Sequence, residues 1–181
     1  MINRMAWFER EFSLGLPFWM LPNVVERLRG TPARAEDLVR SCPPEWLTRR
    51  DGEGWSIQEH VGHLLDLGWL DRARVEDFRS GREVLTAADL ENRTTHEANH
   101  NARAVEEILA EFRAEREKFV HSLEGLDAEA CARRAVHPRL KREMWVVDFA
   151  FFVAEHDDHH LAAVSALKRK FARELNQGAS A

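Results

Sequence analysis

Two histidines one helical turn apart interrupt an apolar pattern in the C-terminal part of the chain. They are His156 and His160, in the run Glu-His-Asp-Asp-His-His-Leu of residues 155–161. Side chains at i and i+4 lie above one another on the same face of a helix. The other members of this stripe are Trp145, Phe149, Phe152, Ala163, Leu167 and Phe171. Such a face is typical of a helix in a bundle core, so the pattern predicts two inward-facing imidazoles that can bind one metal ion.

A third histidine is predicted on the core face of an earlier helix. Ser56 and Glu59 have the spacing of a capping box, which predicts that this helix begins at Ser56. His63 shares a helix face with Leu67 and Leu70. Buried imidazoles need polar partners, and three of them without a nearby cysteine indicate an open, catalytic type of metal site. The alternative, in which each histidine is a hydrogen-bonded core residue without a metal, stays open at this point.

Four further histidines are expected to have other positions. His96 and His100 form a second HxxxH pair, but their neighbours are polar, so we expect both on a solvated face. His60 is expected either to hydrogen-bond near the metal or to face a neighbouring helix. His159 is expected beside the site or at a subunit contact.

Two acidic residues are predicted to take part in the chemistry. Asp66 follows His63 by three residues, and Glu155 immediately precedes His156. Each could orient a ligand imidazole, act as a general base, or be an ordinary surface carboxylate. Asp157 and its neighbour at position 158 are expected to face solvent. Three neutral histidines leave a coordination position open, where a water or a substrate thiol would have a lowered pKa.

These motifs resemble the DinB/YfiT-like superfamily of proposed metalloenzymes. The resemblance rests on the segment Trp-Ser-Ile-Gln-Glu-His-Val-Gly-His-Leu at residues 55–64, on the histidine-rich run at 155–161, and on His-Pro-Arg-Leu at 137–140. It extends over nearly the whole chain. It implies that His63, His156 and His160 bind a divalent metal, for which zinc, nickel, iron and manganese all suit imidazole ligands. It also implies an activity like that of the transferases and isomerases in this superfamily, which use low-molecular-weight thiols such as mycothiol, bacillithiol or glutathione.

Two functions are compatible with these residues. The first is a metal-dependent enzyme acting on small molecules, either an S-transferase that uses a low-molecular-weight thiol or a hydrolase. The alternative is a non-catalytic metal-binding or stress-related interaction protein. A homodimer is expected, because relatives in the superfamily pair through bundle helices. Met5, Trp7, Phe8 and Phe12 supply apolar surface for such a contact.

Composition excludes some other classes of function. The 181 residues predict a single domain over 1–181, and 44% hydrophobic with 31% charged residues is ordinary for a globular helical protein. The net charge of −5 argues against a nucleic-acid partner, because phosphate contacts need clustered Lys and Arg. Two cysteines are expected as free thiols. No signal sequence and no apolar run of membrane-spanning length is seen, so we expect a cytoplasmic protein without a membrane partner.

Helical periodicity predicts an all-α four-helix bundle without strands. The predicted helices are Asn23–Cys42, with a kink or restart at Gly30–Pro32, then Ser56 to about Arg79, Asn101–Leu123, and about Glu143 to Leu175. A long crossover over Arg82–Asn101 joins the second helix to the third. Residues 1–20 are predicted as a short N-terminal helical arm and 176–181 as a frayed tail.

Overall fold

The computed structural model describes residues 4–178, which are mostly helical. The helices are α1 (Leu21–Arg29), α2 (Thr31–Arg40), α3 (Pro44–Leu47), α4 (Ile57–Asp66), α5 (Gly68–Ser80), α6 (Arg93–Glu97), α7 (Val105–Glu124), α8 (Ala128–Ala132) and α9 (Val146–Gly178). The strands are β1 (Arg134–His137) and β2 (Arg142–Trp145), and single 3₁₀ turns occur at Trp7–Glu9, Phe18–Met20 and His100–Ala102.

The predicted four-helix bundle is confirmed, with two of its helices each divided into two segments. The first is α1 followed by α2, because Gly30 lies between them and Pro32 is tolerated in the first turn of the restarted helix. The second is α4 followed by α5, and the third and fourth are α7 and α9. Helix α1 packs on α9, α4 packs on both α7 and α9, and α5 packs on α7.

The capping box at the start of α4 is confirmed. The Ser56 hydroxyl accepts a hydrogen bond from the Glu59 backbone N–H at 3.1 Å, and the Glu59 carboxylate accepts one from the Ser56 N–H at 2.8 Å. These bonds satisfy N–H groups that have no partner within the helix. They therefore fix where α4 begins, and with it the position of His63.

The prediction that the chain contains no strands was wrong. Strands β1 and β2 form an antiparallel hairpin in which Ala135 is paired with Met144. Four residues per strand are too few for alternation to be distinguished from a loop in the sequence. Because of the hairpin, α9 begins at Val146 and not near Glu143.

Both ends of the chain also differ from the prediction. Between residue 4 and α1 the N-terminal arm has two 3₁₀ turns and otherwise no regular secondary structure, so it is not an amphipathic helix. Helix α9 continues to Gly178, so the first residues of the predicted tail are helical. The predicted arm and tail also include residues 1–3 and 179–181, which lie outside the described residues.

A polar layer crosses the bundle between two apolar clusters. One cluster includes Phe149 and Ala154 of α9, and the other begins in α9 at Leu161. The buried polar side chains in this layer are Thr31, Asp71, Arg116 and Asp157, together with His63 and His160. Asp157, expected at the surface, is 1% exposed and accepts hydrogen bonds from Arg116 and Thr31 at 2.8 Å each. The expectation that Asp157 faces solvent was wrong, because a charged side chain on a helix can be buried when a neighbouring helix supplies an oppositely charged partner.

In the described part of the chain, no helix combines the length and the apolar character that a bilayer crossing requires.

Candidate metal centre

Helices α4 and α9 bring the three predicted ligand histidines together. One side-chain nitrogen from each of His63, His156 and His160 lies within 4.8 Å of the other two. The imidazole rings are 4.5 Å apart within α9, and His63 lies 5.3 Å from His156 and 4.8 Å from His160. Three imidazoles from two helices therefore surround one point in the polar layer.

The spacing of these nitrogens fits a transition metal ion. The Nε2 atoms of His156 and His160 are 3.1 Å apart. Two nitrogens that bind one ion at about 2.1 Å, separated by about 90–109°, lie roughly 3.0–3.4 Å from each other. The observed separation falls within that range, so the pair fits a shared ion.

Two side chains outside the trio orient its imidazoles. His63 Nδ1 lies 3.0 Å from the Thr95 hydroxyl, which leaves His63 Nε2 for a metal. His160 Nδ1 lies 2.9 Å from His60 Nδ1. If His160 binds a metal through Nε2, its Nδ1–H donates to His60. Hydrogen bonds at the distal nitrogen fix the tautomer and the ring orientation of a ligand histidine. His60 was expected either to hydrogen-bond near the metal or to face a neighbouring helix, and the structure places it beside the site.

Burial keeps these histidines uncharged. It is the main cause that lowers the pKa of His63 to about 4 and of His60 to about 3, and it holds the pKa values of His156 and His160 well below the usual range. Neighbouring histidines lower the last two further. Metal ions bind neutral imidazole, so the trio is in the binding state at neutral pH without giving up protons.

The same pKa shifts predict that the metal-free protein loses stability in mild acid. Histidines of the unfolded chain bind protons below about pH 6.5, whereas the half-buried His60 and the buried His137, each with a pKa of about 3, do not. The free energy of unfolding should therefore fall by a few kcal/mol between about pH 7 and about pH 4.5. Asp71, whose pKa is raised to about 7, and Asp157, whose pKa is also raised, oppose this trend, but the histidines with lowered pKa values outnumber them.

Urea unfolding of chelator-treated protein at several pH values measures this dependence. The variant His137→Gln should show a shallower pH dependence, and the exposed His121→Gln should not. A stability that is constant from about pH 7 to about pH 4.5 would contradict the prediction.

A cavity of about 340 Å³ adjoins the histidine trio, and all three rings line it. Much of its wall is aromatic, with Trp7, Trp55 and Phe152 among the lining residues. The Trp55 ring lies 4.7 Å from His63 and is stacked on His160 at 5.9 Å. The structure therefore provides a volume suited to a small organic molecule beside the histidine trio.

The second HxxxH pair does not form one site. His96 is exposed, as predicted, but His100 is only 1% exposed, so its assignment to a solvated face was wrong. The His100 ring packs on Gly62, where an added Cβ would lie 2.3 Å from the imidazole. Glycine at that position permits the close approach of the ring to α4.

Asp66 and Glu155, the predicted catalytic acids, have other partners in the structure. The Asp66 Oδ2 lies 2.9 Å from the Nε2 of the buried His100. Glu155 accepts hydrogen bonds from Arg10 and from Arg27, the latter at 2.6 Å. Burial raises the pKa of Glu155, but these hydrogen bonds outweigh it and the pKa is lowered. Any catalytic role of the two acids stays a prediction.

A carboxyl group that the sequence analysis did not single out lines the cavity. Asp71 is 6% exposed, and its pKa is raised to about 7, mainly by burial. The nearby Arg116 opposes this shift, with its Nη1 at 3.8 Å from Asp71 Oδ2. Asp71 lies two turns after His63 on the same side of the α4–α5 helix, and that spacing was the available signal.

Comparisons with known proteins agree with this fold. A family model described as the DinB superfamily matches residues 27–164. YfiT from Bacillus subtilis, described as a probable metal-dependent hydrolase with an unusual four-helix bundle topology, superposes with a TM-score of 0.75 at 20% identity. The match covers 91% of this chain and 94% of YfiT. A mycothiol-dependent maleylpyruvate isomerase superposes with a TM-score of 0.64 at 11% identity, over 87% of this chain and 62% of the isomerase. At these identities the structural matches establish the fold. A search of curated proteins finds no match.

Proposed function

The chain belongs to the DinB superfamily, and from that premise we propose that it is a metal-dependent enzyme acting on a small molecule. In this proposal His63, His156 and His160 bind one divalent transition metal ion. The observation that supports it best is the position of the trio, at the wall of a cavity of about 340 Å³ and not within a closed core. A purely structural metal site has no need of such a volume.

The reaction we propose is a hydrolysis or a transfer to a low-molecular-weight thiol. A divalent ion held by three neutral imidazoles lowers the pKa of a coordinated water or thiol, and so supplies a nucleophile near neutral pH. The similarity to a probable metal-dependent hydrolase and to a mycothiol-dependent isomerase supports both chemistries. In this proposal the metal is zinc, nickel, iron or manganese, and a low-molecular-weight thiol is the co-substrate of the transfer.

The chain's own residues would perform three tasks. Trp7, Trp55 and Phe152 would exclude water and hold the apolar part of a substrate. Thr95 and His60 would keep the ligand imidazoles oriented. Asp71 would accept a proton, because a carboxyl with a pKa of about 7 is suited to general-base work near neutral pH. Two other acids are further candidates for the general base: Asp66, which would act through the His100 ring that it contacts, and Glu155.

A comparison of metal-loaded and metal-free protein tests the proposal. Both are assayed for hydrolysis of model esters and amides and for transfer to mycothiol, bacillithiol and glutathione. We expect activity that disappears with a chelator and returns with one of the four metals. Replacing a true general base, in Asp71→Asn, Asp66→Asn or Glu155→Gln, should lower turnover by roughly two to four orders of magnitude while metal stays bound. Activity that is unchanged after the metal is removed would exclude the enzyme proposal and favour the non-catalytic alternative.

We also propose a cytoplasmic homodimer. Cys42 and Cys131 are free thiols, which is usual in a reducing compartment. Of the apolar residues of the N-terminal arm, Trp7 and Phe12 pack against Phe152, whereas Met5 and Phe8 are 58% and 60% exposed. The exposed side chains could be covered by a second copy. Light scattering at tens of micromolar protein should give the dimer mass, and the monomer mass would refute this part of the proposal.

A further inference from the structure

The β1–β2 hairpin contributes unpaired hydrogen-bond donors to the wall of the cavity. His137 and Arg139 both line the cavity that the histidine trio lines. The Nε2 atom of His137 and the Nη2 atom of Arg139 are buried and have no hydrogen-bond partner among residues 4–178. Buried donors without an acceptor are costly, and native proteins rarely keep them unless a ligand or a water completes the bond.

The backbone of the hairpin turn determines which nitrogen of His137 carries the proton. His137 Nδ1 accepts hydrogen bonds from the backbone N–H groups of Arg139 and Leu140 at 3.2 Å each. Burial and the positive charges of Arg74 and Arg139 lower the pKa of His137 to about 3, so the ring is neutral. In that tautomer Nε2 bears the hydrogen, and His137 is a donor at the cavity wall.

The guanidinium group of Arg139 is held in place by aromatic rings. It lies 5.7 Å from the ring centre of Trp7, 5.2 Å from Phe8 and 5.6 Å from Phe152. Phe152 in turn packs against the His137 ring at 4.8 Å, so both donors share one aromatic support. Such packing restricts the guanidinium while leaving its N–H groups free for a ligand.

The charges near these donors favour an anion. Arg74 also lines the cavity, and its Nε donates to the Thr86 carbonyl oxygen at 2.9 Å. Neither of the two acids that line the cavity cancels these charges. Asp71 shares Arg116 with Asp157, and burial raises the pKa of Asp71 to about 7, whereas Asp89 forms an ion pair with Arg93 at 3.4 Å. The unpaired donors therefore lie in a region whose free charge is positive.

We infer that His137 and Arg139 bind the carboxylate of a small organic acid whose remaining part extends along the aromatic wall toward the histidine trio. Two donors suit the two oxygens of a planar carboxylate, and the aromatic lining suits an apolar body. This inference deepens the proposed function, on which it rests, by naming the class of substrate. The relevant group of the substrate is an acid that stays intact during the reaction and positions the molecule.

Binding measurements without turnover test the inference. The probes are 4-phenylbutyrate, its neutral amide, and inorganic phosphate, titrated into zinc-loaded and chelator-treated protein by calorimetry or NMR. We expect 4-phenylbutyrate to bind both forms and more tightly than its amide or phosphate. Arg139→Gln should weaken binding of 4-phenylbutyrate about tenfold or more, because a charged hydrogen bond is lost. Arg134→Gln, an exposed arginine of the same hairpin, should bind like wild type.

Each of the other outcomes overturns the inference. One is equal binding of the acid and the amide. Another is binding of 4-phenylbutyrate only to zinc-loaded protein with no effect of Arg139→Gln, which would assign the carboxylate to the metal. Tighter binding of phosphate would assign the donors to an inorganic anion. If Arg139→Gln fails to fold, the ¹⁵N and ¹H signals of the His137 Nε2–H group in wild type decide: 4-phenylbutyrate should shift them as a hydrogen bond forms, and its amide should shift them less. Because binding is also measured on metal-free protein and without turnover, the result can be interpreted even if the protein proves to have no enzyme activity.

Discussion

Replacing any one of His63, His156 and His160 by alanine should remove nearly all tightly bound metal. Each contributes one of the three nitrogens that would hold the ion, all within 4.8 Å of each other. Loss of a residue that merely orients a ligand typically weakens metal binding about 10- to 100-fold, and loss of a ligand should exceed that. Metal content after dialysis against a weak chelator, measured by mass spectrometry, is the readout.

His96→Ala and Thr95→Ser are the controls for these variants. His96→Ala removes an exposed histidine and should keep its metal. Thr95→Val removes the hydroxyl beside His63 Nδ1 and should weaken binding about 10- to 100-fold, while Thr95→Ser should stay near wild type. His100→Ala is a poor control, because that ring is buried against Gly62 and bonded to Asp66. Wild-type metal content in His160→Ala would contradict the assignment.

Replacing Arg116 by methionine should lower the free energy of unfolding by about 3–5 kcal/mol. Arg116 is 3% exposed on its side chain and lies 2.8 Å from Asp157 and 3.8 Å from Asp71. Without it, two buried carboxyl groups lose their positive partner, and burial already raises the pKa of both. The cost arises from the charges left unpaired and not from the lost contact itself.

Urea unfolding at about pH 7.5 measures this effect. Arg113→Met is the control on the same helix, because Arg113 forms a more exposed ion pair with Glu36 and its loss should cost about 0–1 kcal/mol. The double variant Arg116→Met with Asp157→Leu should recover much of the stability, since it removes the charge of Asp157 as well. If Arg116→Met costs no more than Arg113→Met, the charge pairing in the polar layer does not stabilise the fold as expected.

Asp157 also connects this layer to the histidine trio. It immediately follows His156 in α9 and is held by Arg116 of α7 and Thr31 of α2. Because α2, α7 and α9 meet at this one carboxylate, the rotation of α9 about its own axis is restrained at the level of the histidine trio. A ligand site benefits when its supporting side chains are fixed by packing and hydrogen bonds.

The sequence by itself determined the features that depend on local geometry. His156 and His160 share a face because residues four apart on a helix always do. The capping box at Ser56 and Glu59 depends on residues three apart and was recognised for the same reason. The four-helix bundle followed from helical periodicity, and so did the core-facing position of His63. That these three histidines bind one metal was also an expectation of the family resemblance.

Only the tertiary structure decided the contacts between distant elements. His100 and Asp157 look like solvated residues in their own segments, but each is buried because a neighbouring helix brings a partner to it, Asp66 in one case and Arg116 in the other. The same holds for Thr95 beside His63 and for the hairpin that brings His137 and Arg139 to the cavity. Periodicity describes one helix at a time, whereas burial of a polar side chain depends on which acceptor or donor a neighbouring element brings within hydrogen-bond distance.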